Sequence, residues 1–118
     1  MKLGVFTTLM SDMSLAEACK YFKSIGCDMI EIGCGGYPGK AHCDPAVLLK
    51  DEKALEAFKE TIAAGGLPIN TLSCHGNPVH PNKEIAASDH RAFEMTCQLA
   101  QKLGVTVLAL SQVTPSQK

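Results

Sequence analysis

Hydrophobic and polar positions alternate along this chain in two periods, and the switch between them recurs. Leu15, Ala18, Cys19, Phe22 and Ile25 lie on one helical stripe, with Lys20, Lys23 and Ser24 off it. Ser14 and Glu17 have the spacing of a capping box at the helix start, and Gly26 stands where a left-handed cap ends it. Residues 29–33, Met-Ile-Glu-Ile-Gly, then read as a strand with Ile30 and Ile32 on one face and Glu31 on the other. The next helical pattern, 52–64, turns Leu55, Phe58 and Ile62 inward and stops at Gly65-Gly66. Ile69 to Ser73 reads as a further strand. Asn82 can cap a helix running to about Leu103, with Ile85, Phe93, Cys97, Ala100 and Leu103 on its apolar side. Val105 to Leu110 is almost entirely apolar, the pattern of a strand buried on both faces. Before all of these, Leu3 to Thr8 reads as the first strand, with residues 11–13 as a loop.

Gly26, Gly66 and Gly104 each stand between a helix end and a strand, at intervals of about 40 residues. A repeated strand–helix unit requires parallel strands and right-handed crossovers. The expected fold is α/β, with four parallel strands alternating with three helices. A small doubly wound sheet and the first half of a (β/α)₈ barrel both fit that order. The absence of a glycine in Thr7-Thr8-Leu9-Met10 disfavours the doubly wound sheet, which more often shows an anion-binding loop after strand one. The half-barrel, residues 1–110 followed by a polar tail 111–118, is the expectation. Asp44-Pro45 and Asp51 both look like helix starts.

The chemistry gathers behind the third strand. Ser73-Cys74-His75-Gly76-Asn77-Pro78-Val79-His80-Pro81 ends in glycine and prolines that a strand cannot continue through. Two histidines on such a loop mark the ligand-facing end of an α/β sheet. The other reading is a surface turn, and His42, His80 and His90 are more often exposed than ligating. The Gly-rich stretch 34–43 fits neither a dinucleotide fingerprint nor a phosphate loop.

Composition narrows the classes. The chain has 118 residues, 46 % of them hydrophobic, and a net charge of −1. It is long enough for one domain with a core, and too weakly basic to bind a nucleic-acid backbone. No apolar run reaches the roughly 18 residues of a membrane span, and residues 1–6 do not resemble a secretion leader, so a cytoplasmic location is expected. Six cysteines without a Cys-x-x-Cys pair are expected to be reduced, mostly buried thiols rather than a zinc site.

The combination of residues 1–7, Ile30-Glu31-Ile32-Gly33, Gly35-Gly36-Tyr37-Pro38-Gly39, Ala41-His42-Cys43 and residues 73–84 resembles the sugar phosphate isomerase/epimerase family. The likeness covers about residues 1–110. It implies a xylose isomerase-like TIM barrel and a metal-assisted proton transfer next to a sugar carbonyl, through an enediolate. Glu31 and His75, at the ends of strands two and three, would line the pocket for a small sugar or sugar phosphate, with Asn77 and His42 as further substrate-binding candidates. The family's divalent metal (Mn, Mg, Co or Zn) would be held by ligands outside this chain. Since members are more than twice this length, the expectation is an incomplete isomerase, inactive when isolated. A Zn-dependent endonuclease of related fold would want a histidine where Ser111 stands. The alternative of another class is a non-catalytic half-barrel forming homo-oligomers through its open sheet edges.

Overall fold

The structure is a computed structural model, and it describes residues 1–111; of the tail expected at 111–118, all but Ser111 lies outside the described residues. The chain is α/β. Its elements are β1 (Gly4–Phe6), a 3₁₀ turn (Thr7–Met10), α1 (Leu15–Ser24), β2 (Met29–Gly36), α2 (Pro45–Lys50), α3 (Glu52–Gly65), β3 (Ile69–His75), α4 (Lys83–Leu103) and β4 (Leu108–Ala109). The four strands form one sheet in the order β1-β2-β3-β4, every pair parallel. Right-handed crossovers between strands laid down in sequence order put the helices in one layer. The core agrees, since Leu15 and Phe22 of α1, Leu55 of α3 and Leu99 of α4 join Ile32 and Leu72 in one buried cluster.

Helix boundaries follow the caps. Ser14 and Glu17 make the reciprocal capping box at α1. Asn82 accepts from the amides of Glu84 and Ile85 at α4, whose far end is closed by Gly104 in the left-handed conformation. Among the described residues there are four helices, not three. Asp51 sits in an extended conformation that ends α2, and its carboxylate accepts from the amides of Lys53 and Ala54 to start α3.

The strands depart from the sequence pattern in opposite ways. β1 stops at Phe6, because the chain turns to bury Thr7 and form the 3₁₀ turn where residues up to Thr8 had been expected to extend. β2 runs on through residues read as loop, as far as Gly36. There the Gly36 φ is +68°, and a Cβ would lie 2.2 Å from the His75 carbonyl oxygen. Glycine lets the ladder survive this close approach rather than breaking it. β4 is only two residues long, and Val107 and Leu110 are half exposed, so the apolar run is not buried on both faces. Ile25 and Ile85, expected on inward stripes, are exposed because each falls at a helix terminus, past the turns that touch the sheet. No helix among the described residues is long and apolar enough to cross a membrane.

Candidate functional site

The parallel sheet brings the carboxyl ends of its strands to one side, and the polar side chains with chemistry lie there. His75 is the last residue of β3, level with Gly36 of β2. Its Nδ1 lies 2.9 Å from the hydroxyl of Ser111, two residues past the end of β4. Its carbonyl accepts from the amide of Tyr37 at 2.8 Å. Two neighbouring strand ends thus hold one imidazole in place by its ring and by its backbone. The sequence places Ser111 at the end of strand four and the start of a polar tail, and does not mark it as a partner of His75. Its position directly after an apolar strand was the signal that could have found it.

Glu31 does not sit at a strand end. It is the third residue of β2, paired with Phe6 and Thr71. Thr71 precedes His75 by four residues, so Glu31 lies about 13 Å below His75 along the strand direction. Alternation places Glu31, Thr71, Ser73 and His75 on one face, opposite Ile30, Ile32 and Leu72 in the core. The two candidates therefore share a face but not a layer. Among the described residues Glu31 is half-buried, and its side chain has no hydrogen-bond or ion-pair partner.

His42 is occupied. Its Nε2 is 2.8 Å from the carbonyl of Met13, which can only accept, so Nε2 carries a proton. In the neutral ring, Nδ1 then accepts from the buried Thr7 hydroxyl at 3.0 Å. Both nitrogens serve to tie the loop after β2 to the segment between β1 and α1. Asn77 is also partly committed, its side-chain oxygen accepting from the amide of Val79 in an Asx turn. Its own amide donates to the Asp89 carboxylate at 2.6 Å. Gly76 makes room for that carboxylate, since a Cβ there would lie 2.7 Å from Asp89 Cγ. His80 accepts from the amide of Asn82, and His90 forms an exposed pair with Glu94.

A recess of about 200 Å³ opens beside these groups, between the ends of β3 and β4 and the helix α4. Asp89, Phe93, Leu110, Pro78, Cys74 and Ser111 are among its walls. Burial is the largest cause holding the Cys74 thiol above its ordinary value; a hydrogen bond with Thr96 opposes it, and Cys34, Asp89 and Cys97 reinforce it. Cys74 thus forms part of the wall, and burial makes its thiolate less available. A larger open groove between α1 and α3 is lined by Ala16, Ala57, Ala64 and Gly65 with Lys20 and Glu60.

Six free thiols are present, five buried and Cys97 half-buried. Among the described residues no three His, Cys, Asp or Glu side chains converge to hold a metal ion. The divalent metal that the resemblance implies finds no ligand set among the described residues. Set against known proteins, the chain matches no family model and no curated protein.

Proposed function

We propose that this chain forms a four-stranded half of a (β/α)₈ barrel of the sugar isomerase/epimerase type, and that the surface around His75 binds a small sugar or sugar phosphate. The strand order carries the reading. A doubly wound sheet reverses its order at a switch point, whereas a barrel adds each strand beside the last, as β1-β2-β3-β4 does here. His75 and Ser111 then stand where such barrels bring their functional groups, at the carboxyl ends of the strands. With Nδ1 held by Ser111, the imidazole Nε2 is turned to use on a ligand, where it can take or give a hydroxyl proton as a sugar carbonyl and its neighbour exchange hydrogen.

Titration of the labelled chain with a ketose and ketose-phosphate panel tests this by NMR. Shifts should gather at His75 and Ser111 and be lost in His75→Gln. Shifts scattered elsewhere, or none, overturn it. Exchange of substrate hydrogen with deuterated solvent is expected to be absent, since no metal ligands converge among the described residues.

A second reading is a self-associating half-barrel without catalysis. It is favoured by the two sheet edges, where exposed Leu3 and Leu9 flank β1 and Val107 and Leu110 flank β4. Light scattering on the eluting protein should then give a dimer that Leu110→Lys converts to monomer. A monomer at every concentration removes this reading.

A further inference from the structure

The thiols of Cys34 and Cys43 lie 3.6 Å apart, in van der Waals contact, and each residue is 2 % exposed. Cys34 is on β2 near its end, and Cys43 immediately precedes Asp44, the cap of α2. Between them runs a loop with Tyr37 almost fully exposed and Lys40 at the surface. A disulfide needs its sulfurs about 2 Å apart, so the pair must close by roughly 1.6 Å. The intervening loop carries Gly39 and can absorb that movement.

We propose that Cys34 and Cys43 are a redox-modified pair, oxidised to a disulfide by a small disulfide of the oxidised-glutathione class. One protein thiolate attacks the oxidant's sulfur, forming a mixed disulfide and releasing one small thiol. The second protein thiolate then attacks the protein-side sulfur, forming the Cys34–Cys43 bond and releasing the second small thiol. Two S–H bonds are lost, one S–S bond forms, and the oxidant's disulfide is reduced.

The surroundings set the timing. The hydrogen bond to Cys43, followed by burial, holds the Cys34 thiol far above its ordinary range, which keeps it unreactive while the loop is shut. The loop is shut by His42, next to Cys43, through its bonds to Thr7 and Met13. Opening that pin admits the oxidant, and the disulfide then fastens the loop. Because Tyr37 donates to the His75 carbonyl, the fastened loop is the lip of the strand-end surface. This inference does not depend on the sugar reading.

The folded, reduced chain is incubated with oxidised glutathione, quenched and digested under non-reducing conditions. Trypsin cuts after Lys40, between the two cysteines, so a bond joins two separate peptides. The expected result is a mass loss of two hydrogens located in the Cys34–Cys43 peptide pair, with Cys19, Cys27, Cys74 and Cys97 still thiols. Thr7→Val touches neither cysteine and removes one bond of the pin, so it should speed the linkage several-fold. Cys34→Ala and Cys43→Ala should each abolish it. Linkage elsewhere, linkage that forms only in denaturant, or a folded chain that keeps all six thiols overturns the proposal.

Discussion

The loop after β2 and the loop after β3 share a composition and differ in what holds them. Residues 37–43 contain Pro38, Gly39 and His42; residues 76–82 contain Gly76, Pro78, His80 and Pro81. The first loop is anchored to distant parts of the chain: Tyr37 to the β3 end, His42 to Thr7 and Met13, and Cys43 to Cys34. Among the described residues, the second loop bonds through Asn77 to Val79 and His80 and through His80 to Asn82, and Asp89 clamps it to α4. A loop tied to several elements is scaffold. The second loop is the one that borders the recess, where a loop at a strand end can carry function.

The sharpest way to break this contrast is at Gly36, which lets the first loop meet β3. Gly36→Ala places a methyl 2.2 Å from the His75 carbonyl oxygen at a φ of +68°. Overlap with backbone and left-handed strain together should cost on the order of 3 kcal/mol or more. Denaturant melting checks it, and a loss below about 1 kcal/mol would mean the strand ends are not in contact. Next in size is Asp89→Ala. It removes a charged acceptor from the Asn77 amide, and a loss of about 1–2 kcal/mol is expected because Asp89 is only half-buried. Hydrogen exchange should speed up at Asn77 and Val79 and stay unchanged at Tyr37. Faster exchange in both loops would show them to be one unit.

Thr7→Val is smaller. It keeps the volume of a fully buried side chain and deletes the hydroxyl that donates to His42 Nδ1. The cost should be about 1 kcal/mol, with a change in the His42 ring nitrogen shifts. Unchanged shifts would show the pin to be absent.

Helix positions, strand direction and the β/α repeat were legible because each rests on local chemistry: Ser14 with Glu17, Asn82, and the glycines after each helix. What was not legible depends on partners far along the chain. Gly36 looks like a strand breaker until the close approach of His75 is known. The occupation of His42 by Thr7 and Met13 spans 35 and 29 positions, and Ser111 meets His75 across 36. The depth of Glu31 below His75 follows from register, which pattern alone does not fix. The short β4 escaped notice because an apolar run carries no mark of where pairing stops.

The smallest expected effect is a pH dependence at the far end of the His42 pin. Met13, which accepts from His42, directly precedes Ser14, the cap of α1. The Ser14 amide, and then its hydroxyl, lower the Glu17 carboxyl below its ordinary 4.5. A carboxyl depressed in the folded state stabilises that state at pH above 4.5, and the contribution disappears as pH falls through the lower folded value. Glu17 is fully exposed, so solvent screens the effect and it should be slight. Glu17→Gln should therefore be less stable than the parent at neutral pH, with the gap narrowing below pH 4.5. Denaturation midpoints across that range measure it. If the first loop is anchored to α1 as described, hydrogen exchange around His42 should respond to the same acidification, while the second loop, fastened to α4 by Asp89, should not respond in step with Glu17. A gap that does not change with pH would remove the Ser14–Glu17 cap from the anchoring of the first loop, and leave Thr7 as its only tested tether.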